Sequence, residues 1–589
     1  MDSFSNYFWE YPNLVEYLNE NPEEKNDVKK NFDEIHGVFN QSLVQKVSLL
    51  FDKTLRKLYD QINLELPYDF DLDELQKKHH IVLVPNHQSH ADYVALTYLF
   101  YKTFKKPLYV AAGINLNIFL FGKLFKNSGA FFLRRSFAGN PTYKVSFHAY
   151  IFALLKNENI VEFFFEGGRS RTGKLLSPRY GLFQMLLETH QHVNTGKTLL
   201  FIPVSIAHEF VPEESAHSSE LKGAKKKKEH ISQVLKIYKL FNKRLGSIHV
   251  TLGQGIEVRG YDNLRASTQK LAFSCFKSVG KGMPITPTSL LSLILLDTPS
   301  GINNWELIEF KAKEIIAYCK RFSIPLTPSL SSEFDVSKNN ILEALNILIS
   351  NKKVNVIKNQ HLGDIYYSVK PKERVHLLYF KNMILHHFIL PVMLNTVIYY
   401  LKEKKFKTVE DLRSYLIDKR SELLFEFYLP STAEMLQELL DTISYATGKN
   451  IEKLDEVLDL NDQELDQVAT KIRVFSSSLS YISECYYIAA RTLDHLAEVE
   501  FNQDSFIQTF KEVFGLELDH GRIIQFQESF SITMVKSALQ LYQHKGCTEL
   551  VGDIYKVVDL DQVFKLKKRF AENLNINLIM NLSLNTDDF

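Results

Sequence analysis

Cysteine is scarce in this 589-residue chain. There are four, Cys275, Cys319, Cys485 and Cys547, with no C-x-x-C pair. That excludes a disulfide framework or a cysteine-rich zinc site and fits a reducing compartment. No run of 18 apolar residues exists, so no segment reads as a simple transmembrane helix. The nearest, Met383 to Leu401, is interrupted by His386, His387, Pro391 and Asn395; it reads as a buried core helix or as one lying in a lipid interface or facing an acyl chain. An excess of one charge is missing too: 70 Lys plus Arg face 69 Asp plus Glu, net +1. No global field therefore exists to hold nucleic acid, and any anion site must be local. Internal repeats are absent, and Lys225–Lys228 is the one low-complexity tract. The opening Met1-Asp2-Ser3-Phe4 lacks the basic and apolar parts of a secretory leader, and Asn585 to Phe589 form no targeting tripeptide, so no targeting signal is expected.

The composition that remains, 45% apolar and 24% charged, is that of an ordinary soluble globular protein. Its length corresponds to roughly three to four units of ~150 residues. Three textures divide it. Residues 1–75 read as a helical region, with Phe39, Leu43, Val44, Val47 and Leu50 at helical spacing. Residues 76–260 carry strand-sized apolar runs: Ile81–Pro85, Pro107–Ala112, Ala130–Leu133, Ile160–Phe165, Leu199–Ile206 and Ile248–Leu252. Most are separated by helix-length segments such as Asp92–Tyr101 and Thr142–Leu155. This alternation predicts an α/β fold, a mostly parallel sheet flanked by helices, with its chemistry on loops at strand ends. Residues 261–589 read as mainly helical, with a small hairpin near Val354–Val369.

Four clusters in the α/β region carry chemistry. In Pro85-Asn86-His87-Gln88-Ser89-His90-Ala91-Asp92, Ser89 is a natural N-cap for a helix starting at His90, and the turn brings His87 back toward Asp92. A carboxylate beside one ring nitrogen fixes the tautomer and leaves the other as a base. His–Asp pairs also serve structure alone. His87 and His90 find no further ligands at convincing spacing, so no metal is expected. The strand Gly129-Ala130-Phe131-Phe132-Leu133 ends in Arg134-Arg135, of which one reaches a given pocket. Phe163-Phe164-Phe165-Glu166-Gly167-Gly168-Arg169-Ser170-Arg171-Thr172-Gly173-Lys174 delivers a glycine-bounded loop with two Arg and one Lys, suited to gripping phosphate oxygens. It is not a nucleotide P-loop, because Leu175 stands where a Mg²⁺-ligating Ser or Thr belongs. The fourth cluster, Phe201 to Glu209, is a strand interrupted by Pro203, which suits an edge or a bulge.

In this order and spacing the clusters resemble the blocks of the glycerolipid acyltransferases, most closely the glycerol-3-phosphate O-acyltransferases of the bacterial membrane type and their dihydroxyacetone-phosphate relatives. The His-x4-Asp block matches His87 to Asp92, the Gly-x-Phe-Phe-x-Arg-Arg strand matches Gly129 to Arg135, and Phe-x-Glu-Gly-x-Arg-Ser-Arg matches Phe164 to Arg171. The Pro-containing block corresponds to Ile202–Glu209, with His208 where the family usually has Tyr. Resemblance continues through Glu220–Glu229, Pro284–Leu290 and Leu385–Phe388.

The resemblance implies transfer of a fatty acyl group from acyl-CoA or an acyl carrier protein thioester to the sn-1 hydroxyl of glycerol 3-phosphate. His87 would be the general base and Asp92 its orienting partner. Arg169, Arg171 and Lys174 would bind the phosphate, with Arg134 or Arg135 assisting. Glu166, beside Gly167, would bind a polyol hydroxyl or, more in keeping with its neighbours, pair with one of these arginines. No cofactor is expected beyond the thioester co-substrate, and no G-x-S-x-G elbow suggests a serine hydrolase. Leu116–Phe125 and Met383–Leu401 are either acyl-chain groove or ordinary core. The Lys225–Lys228 run is either a solvated face or a contact for anionic lipid or an acidic carrier protein. The expected setting is peripheral, on the cytoplasmic face of a membrane, the bacterial inner membrane. Dihydroxyacetone phosphate as acceptor, or a non-catalytic lipid- or phosphate-binding protein, are the competing readings.

Overall fold

The computed structural model describes residues 3–116, 119–137, 139–211, 213–221, 223, 245–298, 301–358, 363–523 and 526–582. The Lys225–Lys228 run, Asn117 and Ile118 of the first groove candidate, most of Glu220–Glu229, and the C-terminal Asn585–Phe589 lie outside the described residues. The chain forms two compact units. The first comprises Met1–Ser170, Leu175–Pro212 and Lys227–Pro284; the second comprises Arg171–Lys174, Glu213–Lys226 and Ile285–Phe589.

The first unit is built on strands β1 (Ile62–Glu65), β2 (His79–Pro85), β3 (Leu108–Gly113), β4 (Ala130–Leu133), β5 (Ile160–Glu162), β6 (Thr198–His208), β7 (Ile248–Leu252) and β8 (Ile256–Val258). They lie in the order β1-β7-β6-β2-β5-β3-β4, with β8 also pairing β6. The pairs from β6 to β4 and the β1–β7 pair are parallel; β7 and β8 run antiparallel to β6. The sheet is thus mostly parallel, as the alternation of strands and helices requires. Ile81, Val82, Leu83 and Val84 are all buried, because helices cover both faces of a central parallel strand. The helix Pro141–Lys156 is so enclosed that Phe147 through Leu155 are buried without interruption.

The domain boundaries expected at 75 and 260 are not those of the compact units. Ile62 pairs with Ile248 and Glu65 with Thr251, which ties the N-terminal region into the sheet. Phe4, Phe8, Tyr11 and Leu14 join one core cluster with Phe147 and Phe163, and so do Leu271, Cys275 and Val279 from the helix Leu264–Gly282. An amphipathic segment that cannot bury its apolar face alone takes the nearest available one. Pro203 also departs from expectation, since it sits in a central strand opposite Val84. Its carbonyl accepts from Gly253 N at 2.8 Å, facing the turn between β7 and β8, so the missing N–H breaks no ladder.

The second unit is mainly helical. It includes the small sheet β10 (Asn355–Lys358), β11 (Ile365–Ser368) and β9 (Ile302–Asn304), which contains the expected hairpin. Pro287–Asp297 starts with a capping box at Thr286 and a Pro in its first turn. It ends on Asp297, which is fully buried and accepts from Lys311 Nζ at 2.9 Å, Ser477 N at 3.0 Å and Asn581 Nδ2 at 2.8 Å. One carboxylate therefore joins four separate segments. The Met383–Leu401 stretch is broken at His387 between helices Pro371–Ile384 and Ile389–Lys402. Among the described residues no single helix is long and apolar enough to cross a membrane; these two together pass on length and composition but bend by 76°. Most of the second helix is buried within the unit, from Ile389 to Ile398 without a gap.

Candidate active site

Because β2, β4, β5 and β6 run parallel, the loops after β2, β4 and β5 and the end of β6 share one end of the sheet. The loop after β2 carries His87. The helix begins at Ala91 with His90 as its N-cap residue, one position later than expected, and Ser89 Oγ accepts from Ala91 N at 3.0 Å. Asp92 therefore sits in the first turn, where its carboxylate reaches back over the loop.

Asp92 is fully buried and takes four N–H donors. Its Oδ2 accepts from His87 Nδ1 at 2.8 Å, Gln88 N at 2.6 Å and Ser89 N at 2.9 Å. Its Oδ1 accepts from His208 Nε2 at 2.6 Å. Burial alone would raise the acid; the two histidines and their hydrogen bonds overcome it and hold Asp92 ionised, well below the usual range. His87 donates through Nδ1, so its neutral form carries the basic lone pair on Nε2. Its ring lies on Phe164 with centroids 4.1 Å apart. Burial lowers the His87 pKa first, Asp92 pulls it back up, and the Arg169 charge lowers it further, with a net downward shift. His90 Nδ1 lies 3.3 Å from the Tyr93 hydroxyl.

Glu166 bonds two backbone amides rather than an arginine. Its Oε2 accepts from His87 N and its Oε1 from Leu176 N, both at 2.9 Å, so it straps the His87 loop to the far side of the glycine loop. Burial pushes its acid up to about 8 against those two amides. Ser170 N adds a bond to the His87 carbonyl at 2.8 Å. Gly167 adopts φ +67°, and a Cβ there would lie 3.0 Å from Arg179 Cγ. The next helix starts only at Gly181, which removes the helix N-terminus that a P-loop needs.

The candidate cations divide. Arg134 forms a forked pair with Glu34, Nε to Oε1 and Nη2 to Oε2 both at 2.8 Å, over the Tyr143 ring at 4.2 Å. It is committed to the N-terminal helix, which leaves Arg135, exposed beyond the strand end, as the arginine of that pair open to a ligand. Arg169 belongs to the first unit and is the cation whose charge reaches His87. Arg171 and Lys174 belong to the second. Arg171 pairs with Glu220 at 2.8 Å; Lys174 is buried in an ion pair with Glu426 and lies over the rings of Phe427 and Tyr481. A Cβ on Gly173 would collide with the Tyr379 carbonyl. A phosphate at either cation would compete with its carboxylate.

Two buried residues passed over in the sequence lie at this end of the sheet. The Asn86 amide donates to Ile206 O at 3.0 Å and accepts from Ile206 N at 2.7 Å, acting as a peptide group between β2 and β6. Glu162, at the end of β5, is fully buried, and neither oxygen has a hydrogen-bond partner among the described residues.

Residues 70–207 match the family described as Acyltransferase, and residues 218–550 match the glycerol-3-phosphate acyltransferase C-terminal region. The chain is 29% identical over 430 residues to a glycerol-3-phosphate acyltransferase of Pseudomonas putida, covering 69% of this chain and 50% of the relative. It is 29% identical over 464 residues to one of Actinobacillus pleuropneumoniae, covering 74% and 54%. The chain thus spans about half the length of these curated relatives. A solved 1-acyl-sn-glycerophosphate acyltransferase of Thermotoga maritima aligns over 46% of this chain and 93% of its own, at 14% identity and a TM-score of 0.24.

Burial and the neighbouring Asp92 charge drive the Glu162 acid well above its ordinary value. The native state then keeps a proton that the unfolded chain loses above about pH 4.3, so this residue removes stability as pH rises. Glu162→Gln is expected to melt above the parent, with a gap that widens from pH 5 to pH 8. Thermal denaturation across that range checks it, and a gap independent of pH would show that Glu162 is not a buried neutral acid.

Proposed function

The chain belongs to the glycerol-3-phosphate acyltransferase family, and from that premise we propose that it transfers a fatty acyl group from a thioester to the sn-1 hydroxyl of glycerol 3-phosphate, giving 1-acyl-glycerol 3-phosphate. The observation that carries the reading is the His87–Asp92 pair, 2.8 Å apart at the end of β2, with Asp92 held as an anion. His87 Nε2 removes the hydroxyl proton as the oxygen attacks the thioester carbonyl. The tetrahedral intermediate collapses with cleavage of the C–S bond, and the leaving thiolate takes the proton from His87. Asp92 holds the ring orientation and stabilises the transient imidazolium. The acceptor hydroxyl is the nucleophile, so no serine or cysteine of the chain is acylated, and no cofactor is needed beyond acyl-CoA or acyl carrier protein as donor.

Arg169 is the first phosphate contact in this proposal, because its charge is already felt at His87. Arg135 assists from the neighbouring strand end. Arg171 and Lys174 act once Glu220 or Glu426 gives way. The product is a lipid, so the protein works peripherally at a membrane surface, on its cytoplasmic face, with Lys225–Lys228 as the basic contact; nucleic acid is no partner.

Acyl transfer measured with glycerol 3-phosphate and dihydroxyacetone phosphate, each with matched coenzyme A and carrier-protein donors and with or without anionic vesicles, tests this reading. Faster acylation of dihydroxyacetone phosphate would change the acceptor; binding without turnover would replace catalysis with lipid or phosphate binding. His87→Ala should cost at least ~10² in kcat with the fold retained. The base must be neutral to act, and its pKa is lowered, so the acid limb of kcat/KM should fall below the ordinary histidine value of 6.5. Arg169→Ala should raise KM for the phosphorylated acceptor more than it lowers kcat; a selective rise in KM for the donor would assign the loop to the other substrate.

A further inference from the structure

We propose that His208 is a positioning residue of the active site: a neutral imidazole that pins the Asp92 carboxylate so that its other oxygen stays aimed at His87. This rests on the catalytic reading of His87 and Asp92. The Asp92 oxygens divide their partners. Oδ2 serves His87 and the two loop amides, while His208 Nε2 donates to Oδ1. Both Asp92 and His208 are fully buried, so loss of that donor strands an anionic oxygen away from water. A carboxylate with a stranded oxygen rotates toward whatever donor it can find, and the His87 bond is the one it shares.

The protonation state follows from geometry. His208 Nδ1 is buried without a hydrogen-bond partner among the described residues. A cationic ring would leave that N–H unsatisfied, so the neutral form with its proton on Nε2 is the one this site accommodates. Asp92 therefore lies between two imidazoles, one that takes the substrate proton in turnover and one that only holds the carboxylate. His208 is placed as rigidly as it is buried. β6 runs beyond the Asn86–Ile206 clamp, and His208 pairs with Ile248 of β7 at the far edge of that clamp.

The geometry predicts separable effects. In His208→Phe the donor is gone and the ring volume is kept. We expect kcat to fall roughly 10- to 100-fold, the scale of a misplaced catalytic group, with both KM values nearly unchanged. Without the His208 donor, Asp92 draws harder on the His87 proton, so the acid limb moves to higher pH. His90, Glu162, Glu166 and Arg169, the other titratable groups around the pair, are the same in parent and variant. His208→Gln places an N–H near the Nε2 position and should restore most of kcat and return the limb. Equal kcat and limb in His208→Phe and the parent would overturn the proposal, and so would a Gln variant no better than Phe, which would show a purely structural role. Histidine ¹⁵N spectra read the same geometry without turnover. His208 should be one tautomer, protonated on Nε2, and His208→Phe should raise the His87 midpoint. A His208 whose proton sits on Nδ1 instead overturns the inference. Failure of the parent to acylate any acceptor, with those spectra as expected, overturns only the catalytic reading.

Discussion

The Asp92 carboxylate is an anion with no access to water, and the end of the sheet is arranged to supply what water would have given. Three donors come from the chain just before it, His87, Gln88 and Ser89, and one from His208 at the end of β6. An unpaired charge at that depth would cost several kcal/mol or simply pick up a proton. The supply of N–H groups therefore decides the conformation of the loop, the tautomer of His87 and the length of β6 together. Asn86 and Glu166 extend the arrangement outward. One joins β2 to β6 through Ile206, and the other joins the His87 amide to Leu176. Glu162 is the counterpart: another carboxyl at the same end, given no donors among the described residues, which burial and the Asp92 charge keep neutral.

The second unit treats buried charge in the same manner for a structural end. Asp297 gathers Lys311, Ser477 and Asn581, and Arg374 pairs with Glu528 with both side chains almost wholly enclosed. Breaking such a pair is far more damaging than its net contribution suggests, because the survivor is left unpaired. Arg171 and Lys174 belong to this pattern, each facing a carboxylate. A loop that reads in sequence as one cationic grip is thus divided between the two compact units.

Much of the α/β fold was legible. Runs such as Ile81–Pro85 and Leu199–Ile206 are too apolar and too short for anything but buried strands, and each became one. β1 and β8 were not legible, since Ile62–Glu65 and Ile256–Val258 are three or four residues of mixed polarity that become strands only by pairing with β7 and β6. The His87–Asp92 pair was legible because its partners lie five residues apart across a turn. His208 was not, since 116 residues separate it from Asp92 and a lone histidine on an apolar strand carries no signal by itself.

The sequence alone determined the class of fold, the His87–Asp92 pair and the glycines of the third cluster, because these follow from local periodicity and from contacts within a few residues. Tertiary structure alone decided the rest: that Arg134 is tied to Glu34, that Glu166 serves two amides rather than an arginine, that Pro203 lies in a central strand, and that His208 completes the Asp92 site. Each depends on which strand end or helix face lies opposite, and the burial of a charge makes that choice binding once it is made.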